Sequence, residues 1–135
     1  MVQGGGLTTG LVSKTPTYDA IVLESNNGLS NLRGSIAMAR TSVADSATTQ
    51  FFVNQVDNTF LDYSSAASPG YAVFGKVMSG LSVIDSIAQM PTTTVGPYSD
   101  VPKTGIRANR SGRHLRNAVD HRQTRHHFAK HGIAR

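Results

Sequence analysis

The chain has 135 residues, of which 39% are hydrophobic and 16% charged, a composition typical of a globular protein with one modest core. No apolar run reaches 18 residues, so the sequence predicts no membrane contact, and the first residues have no pattern typical of a secretory signal. Cysteine is absent from the sequence, which excludes disulfides, thiol nucleophiles and thiolate metal sites.

The net charge of +5 is distributed unevenly along the chain. Residues 1–103 carry five Lys and Arg against seven Asp and Glu, a net charge of −2. Residues 104–135 carry eight Lys and Arg against one Asp, a net charge of +7, together with all five histidines. The two parts therefore need separate explanations, and we call them the body (1–103) and the tail (104–135).

The sequence of the first third of the body, up to residue 34, predicts mostly loop. Gly4, Gly5 and Gly6 resist both helix and strand because glycine loses the most conformational freedom on folding. Residues 7–34 are rich in Gly, Ser, Thr and Asn, which favours loops with at most a short extended piece near residues 21–23.

Three strands and one helix are predicted in the rest of the body. The strands are expected where apolar residues alternate or cluster, over residues 35–39, 50–53 and 71–78. Gly75, inside the third strand, indicates either a bulge or a close approach of another backbone. An apolar stripe predicts a helix that begins at residue 80 or 82 and ends at Pro91. We expect a loop from there to Pro102.

Several segments of the body stand together in the order and spacing of a known family. They are Met1-Val2-Gln3-Gly4-Gly5-Gly6, Asn27-Gly28-Leu29, Arg33-Gly34-Ser35-Ile36-Ala37-Met38-Ala39-Arg40, Ser46-Ala47-Thr48-Thr49-Gln50-Phe51-Phe52-Val53-Asn54, Phe60-Leu61-Asp62 and Tyr71-Ala72-Val73-Phe74-Gly75-Lys76-Val77. In this order they resemble the cyclophilin family of peptidyl-prolyl cis-trans isomerases, most closely its bacterial type. The resemblance implies a mainly β fold: part of a closed antiparallel β-barrel with one retained helix. It implies no cofactor and no metal.

Two departures from the family pattern set further expectations. The chain matches the family signature Phe-His-Arg-x-Ile-x-x-Phe-Met-x-Gln-Gly-Gly only from the signature methionine onward, which is Met1 here. We therefore expect an N-terminally truncated chain without the signature arginine. After Lys103 the apolar closing strand of the family is replaced by a basic segment. We therefore predict an incomplete cyclophilin-like domain over 1–103, followed by an unrelated tail over 104–135 that is disordered or frameshifted.

The resemblance also implies the site. Gln3 matches the signature glutamine and is the candidate catalytic residue. The implied substrate-binding residues are Met38, Ala39, Arg40, Gln50, Phe52, Phe60, Leu61 and Tyr71. The apolar members Met38, Phe52 and Leu61 match the pocket for the proline ring. From pattern alone Met38 and Phe52 would be plain core residues, whereas apolar Phe60 and Leu61 in a polar loop indicate a binding site independently.

The implied activity is rotation of X-Pro bonds in proline-containing peptides and unfolded proteins. Amide resonance imposes a barrier of about 18–20 kcal/mol, and a catalyst must hold the proline ring, exclude water and donate to the imide nitrogen. In the family that donor is the signature arginine, so we expect impaired activity here. Two alternatives stay open: a non-catalytic groove for proline peptides, and a defective gene product whose tail binds nucleic acid loosely.

The tail has three interpretations. Read-through sequence without a selected role is favoured over an arm that attracts nucleic acid through charge, and over a zinc site built on His127 and His131 with His121 or His126.

The chain as written has no export signal and is expected to remain in the cytoplasm. The segment over residues 95–98 looks more like periplasmic bacterial members, which favours the periplasm for the complete parent.

Overall fold

The computed structural model describes residues 1–106. Within them the elements are β1 (Val2–Gly4), β2 (Ser35–Met38), β3 (Phe51–Val53), a 3-10 helix (Thr59–Leu61), β4 (Val73–Lys76), α1 (Leu81–Ala88), β5 (Thr92–Val95) and β6 (Tyr98–Pro102). The tail beyond Ile106 lies outside the described residues. The interpretations of the tail as disordered, as a nucleic-acid arm or as a zinc site therefore stay predictions.

Four strands form one antiparallel sheet in the order β1-β3-β2-β4. The register pairs Phe52 with Gln3 on one side and with Ala37 on the other, and Ala37 also pairs with Val73. Because directly paired residues lie on the same side of a sheet, Gln3, Ala37, Phe52 and Val73 share one face, which we call the pocket face.

The core is small and lies on the pocket face. Ala37, Phe52 and Val73 are buried there, and Leu61 and Tyr71 pack against them, partly exposed. The predicted bulge at Gly75 is confirmed, because the β2–β4 register slips by one residue between Val73 and Gly75. This slip leaves Phe74 without a partner in that register.

Helix α1 begins after Gly80, whose φ of 81° is the left-handed conformation that glycine adopts readily. None of its eight residues is buried. Leu81 lies against Gly34, where a Cβ would come within 3.3 Å of the Leu81 side chain, and the Val77 N–H donates to the Gly34 carbonyl at 2.8 Å. In residues 1–106 no helix has the length and apolar character that crossing a bilayer requires.

The structure corrects two expectations. Gly4 belongs to β1, because its main chain pairs with Phe51 and pairing needs no side chain. The segment predicted as loop before Pro102 forms the antiparallel hairpin β5–β6, in which Gly96 turns the chain with a φ of 57°. The expected mainly β fold with one helix is confirmed: within residues 1–106 the strands form an open four-stranded sheet and a separate hairpin.

Candidate functional site

An apolar cluster on the pocket face brings together four of the residues implied as substrate-binding. Phe52 is its floor and is only 2% exposed, while Ala39, Leu61 and Tyr71 pack around it. The Phe52 and Tyr71 rings meet edge to face, with centroids 5.6 Å apart, a favoured geometry for aromatic pairs. Because Phe52 is nearly covered, the accessible apolar surface belongs to the half-buried side chains around it.

A pair of amides lies on the same face. Gln3 donates from Nε2 to Oε1 of Gln50 at 2.9 Å, and both side chains are exposed. The turn after β1 lies close to this pair. A Cβ on Gly5 would lie 2.1 Å from the Thr49 carbonyl oxygen, and a Cβ on Gly6 would lie 2.6 Å from Cδ of Gln50. Glycine is required at Gly5, where φ is 87° and the neighbouring atoms are backbone, whereas a side chain at Gly6 would displace the Gln50 side chain from its present position.

Arg40 lies beside the cluster. Its guanidinium carbon is 4.7 Å from the centroid of the Tyr71 ring, within the range of a cation–π contact. Its Nε and one Nη donate to the Gly70 carbonyl at 2.9 and 2.8 Å, and the other Nη donates to the Thr41 carbonyl at 2.8 Å. The Arg40 side chain is therefore fixed by the ring on one side and by two backbone carbonyls.

Two implied residues do not join the cluster. Met38 pairs with Phe51, one position along from the Ala37–Phe52 pair, so the alternation of the strand places Met38 on the opposite face of the sheet. Phe60 lies on the 3-10 helix next to Leu61, but its side chain is 77% exposed. The structure thus brings together Gln3, Ala39, Arg40, Gln50, Phe52, Leu61 and Tyr71, and leaves Met38 and Phe60 apart.

A buried polar network behind the cluster was missed by the sequence analysis. Asn31 donates from its side-chain amide to the carbonyls of Leu61 and Tyr71, both at 3.3 Å, and to Asp62 at 2.9 Å. Asn54 donates to the Asn31 side-chain carbonyl at 3.1 Å, and Asn31 and Asn54 are fully buried. The network therefore holds the backbone of two cluster residues in place.

Asp62 anchors that network by accepting hydrogen bonds from Ser30 and Asn31. Burial raises the pKa of its carboxyl, but hydrogen bonds from the Ser30 hydroxyl and from the Asn31 backbone N–H and side-chain amide outweigh burial, so the pKa lies below its ordinary value.

Gly70 packs against the Leu61–Asp62 backbone, where a Cβ would come within 2.5 Å of the Asp62 carbonyl carbon. Glycine is therefore required immediately before Tyr71.

Comparisons with known proteins show which family the chain belongs to. The family model described as cyclophilin type peptidyl-prolyl cis-trans isomerase/CLD matches residues 1–110, more than three quarters of the chain. The chain belongs to the cyclophilin family. The match continues seven residues past the boundary predicted at Lys103, and the division into body and tail stays a prediction.

Curated cyclophilin relatives are similar over the same part of the chain. A peptidyl-prolyl cis-trans isomerase of Acinetobacter baylyi is 51% identical over 107 residues, covering 79% of this chain and 56% of the relative. Peptidyl-prolyl cis-trans isomerase A of Dickeya dadantii is 53% identical over 106 residues, covering 78% and 55%. Peptidyl-prolyl cis-trans isomerase B of Escherichia coli is 47% identical, covering 78% and 65%. The chain thus spans about half the length of the first two.

The residues present also bear on metal binding. Among residues 1–106 no group of three His, Cys, Asp or Glu side chains converges, and the histidines of the tail lie beyond them. The chemistry available on the pocket face is therefore apolar contact, amide hydrogen bonding and one guanidinium.

Proposed function

We propose that the chain is a cyclophilin-type peptidyl-prolyl cis-trans isomerase whose pocket face binds proline-containing peptides and unfolded proteins. The observation that carries the proposal is the half-buried apolar surface of Ala39, Leu61 and Tyr71, with the Gln3–Gln50 amide pair on the same face. An apolar surface suits a pyrrolidine ring, and amides suit a peptide backbone. The names of the relatives support the same activity.

We also propose that this sheet forms part of the family's closed barrel, and that turnover by the 135-residue chain is low. Stabilising the twisted imide needs a free donor close to its nitrogen. Among residues 1–106, Arg33 is paired with Asp85, and the Gly70 and Thr41 carbonyls hold the Arg40 guanidinium beside the Tyr71 ring, so that neither side chain is free to move to an imide nitrogen. Low turnover beside retained binding is the expected combination.

The test measures binding and turnover separately. Binding is followed by fluorescence anisotropy of a labelled proline peptide and of the same peptide with Ala in place of Pro. We expect preference for the proline peptide, weakened by Leu61→Ala and unaffected by Val83→Ala on α1, whose side chain lies outside the cluster. Equal affinity for the two peptides would overturn the proposed groove.

Turnover is followed by a proline-isomerisation assay of two proteins. One is the 135-residue chain, and the other carries the family segment Phe-His-Arg-x-Ile-x-x-Phe ahead of Met1. We expect weak turnover by the first and clearly faster turnover by the second. Equal rates contradict low turnover, whereas binding without turnover in either protein supports the non-catalytic alternative. The nucleic-acid and compartment predictions are not addressed by these residues and stay predictions.

A further inference from the structure

Arg40 has more hydrogen-bonding capacity than its described contacts use. A guanidinium carries five N–H donors. Three of them donate to the Gly70 and Thr41 carbonyls. One N–H on each terminal nitrogen is left without a partner among residues 1–106, and charged N–H donors of this kind form short, strong hydrogen bonds with carboxylate oxygens.

The charge of Arg40 is also uncompensated in the described part of the chain. The ion pair found within residues 1–106 joins Arg33 to Asp85, with Nη2 and Oδ2 2.8 Å apart. No carboxylate lies within 4 Å of Arg40 in that range. The cation is nevertheless held in one position by its hydrogen bonds and by the Tyr71 ring, so less conformational entropy is lost when an anion binds.

The position of Arg40 links this free charge to the candidate groove. Tyr71, on which the guanidinium lies, belongs to the apolar cluster and contacts Phe52. The distance from guanidinium carbon to ring centroid is 4.7 Å, and one extended residue spans about 3.3–3.6 Å. A side chain one or two residues from a proline seated on Leu61 and Tyr71 would therefore reach Arg40.

We infer that Arg40 is a specificity-determining residue, which selects proline-containing substrates that carry a carboxylate within two residues of the proline. The inference rests on the proposed function, since it needs a proline bound on the pocket face. It adds an electrostatic requirement to the apolar one. An acidic side chain at the right position forms a charge-assisted hydrogen bond, whereas a basic one is repelled.

The test uses labelled proline peptides in which one residue, at each of the two positions before and after proline, is Glu or Gln. We expect Glu to bind about three- to tenfold more tightly than Gln at one or two positions, and this ratio to fall as salt rises. In Arg40→Gln the Glu-to-Gln affinity ratio should fall to about one. Arg40→Lys keeps the charge but not the planar set of fixed N–H donors, and should give an intermediate ratio.

Lys76→Gln is the matched control, because it removes the same charge from an exposed side chain of β4 that lies outside the cluster. The ratio should be unchanged in this variant. A Glu preference that is equal at all four positions and survives Arg40→Gln would arise from net charge and would overturn the inference. Equal affinity for Glu and Gln peptides at every position would overturn it too.

A neutral proline peptide separates the two ways of failing. If it does not bind, the proposed groove itself is wrong and the inference falls with it. If it binds but no acidic preference appears, the proposed function stands and the role of Arg40 is refuted. The position dependence and salt dependence of the unmodified chain decide the matter even where Arg40→Gln does not fold.

Discussion

Two regions of the described structure differ in burial. The sheet region, residues 25–76, contains every buried residue, whereas the C-terminal region, residues 77–106, contains none. The candidate site lies on the sheet region, except for Gln3 on the neighbouring strand β1. Burial of apolar and hydrogen-bonded groups stabilises the site's surroundings, whereas the contacts of α1 with the sheet region include the partly exposed Arg33–Asp85 ion pair and Leu81 against Gly34.

The comparison predicts where substitutions matter. Side chains of the sheet region should be sensitive because their removal leaves cavities or unpaired polar groups. Side chains of the C-terminal region should tolerate truncation, because water already reaches them.

The largest effect is expected for Phe52→Ala. Phe52 is buried between paired strands, and losing a buried aromatic ring costs about 3–5 kcal/mol of unfolding free energy, out of about 5–15 for a typical domain. Urea unfolding followed by circular dichroism measures the loss. Phe60→Ala, at an exposed ring of the same type, is the control and should change stability by less than about 0.5 kcal/mol. Similar losses in both variants would contradict the assignment of Phe52 to the core.

A matched valine pair compares the two regions directly. Val73 in β4 is 6% exposed and Val83 in α1 is 38% exposed. We expect Val73→Ala to lower the unfolding free energy by about 1.5–3 kcal/mol, because buried methyl groups are removed. Val83→Ala should change it little, since alanine's higher helix propensity offsets the lost contacts. A larger loss for Val83→Ala would show that α1 packs against something beyond the described residues.

The buried network gives the third prediction. Asn31→Ala removes the donor to the Leu61 and Tyr71 carbonyls and should cost about 1–3 kcal/mol, because buried acceptors lose their partner. Heteronuclear NMR should show shifts concentrated at Leu61 and Tyr71. Asn26→Ala, in an exposed neighbour of the same type, should leave both stability and those signals unchanged. Shifts confined to the loop around residue 31 would contradict a positioning role.

The sequence predicted the sheet better than it predicted the site. The strands over 35–39, 50–53 and 71–78 are confirmed to within two residues at each end, because apolar residues mark them, and the predicted helix is confirmed as Leu81–Ala88. The β5–β6 hairpin was missed because β5 is Thr-rich and exposed on both faces, and because neither strand shows apolar alternation.

The polar network escaped the sequence analysis for a different reason. Asn54 and Asp62 stood in the matched segments, but no spacing rule connects either of them with Asn31, which lies 23 and 31 residues away along the chain. Contacts of that separation are set by the tertiary fold. The face occupied by Met38 was likewise decided by the strand register, which segment matching does not give.

The smallest effect is expected in the pH and salt dependence of two carboxylates, one in each region. Asp62 and Asp85 both have a lowered pKa: at Asp62 burial opposes stronger hydrogen bonding, and at Asp85 the hydrogen bond from Arg33 dominates. A group whose pKa is lower in the folded state contributes stability above its unfolded pKa, near 3.9, and loses it as pH falls through the folded value. Unfolding free energy should therefore fall with pH below about 4, less steeply in Asp62→Asn and in Asp85→Asn.

Salt distinguishes the two contributions. The Arg33–Asp85 pair joins charged groups that are 42% and 31% exposed, so added salt should weaken its part of the pH dependence. Asp62 accepts hydrogen bonds from neutral groups, Ser30 and Asn31, in a partly buried position, and salt screens such bonds little. In about 1 M salt we expect Asp85→Asn to match the unmodified chain below pH 4, while Asp62→Asn still differs from it. If salt removed the effect of Asp62→Asn as well, Asp62 would act as an exposed charge. The two regions would then not differ in the salt dependence of their carboxylates.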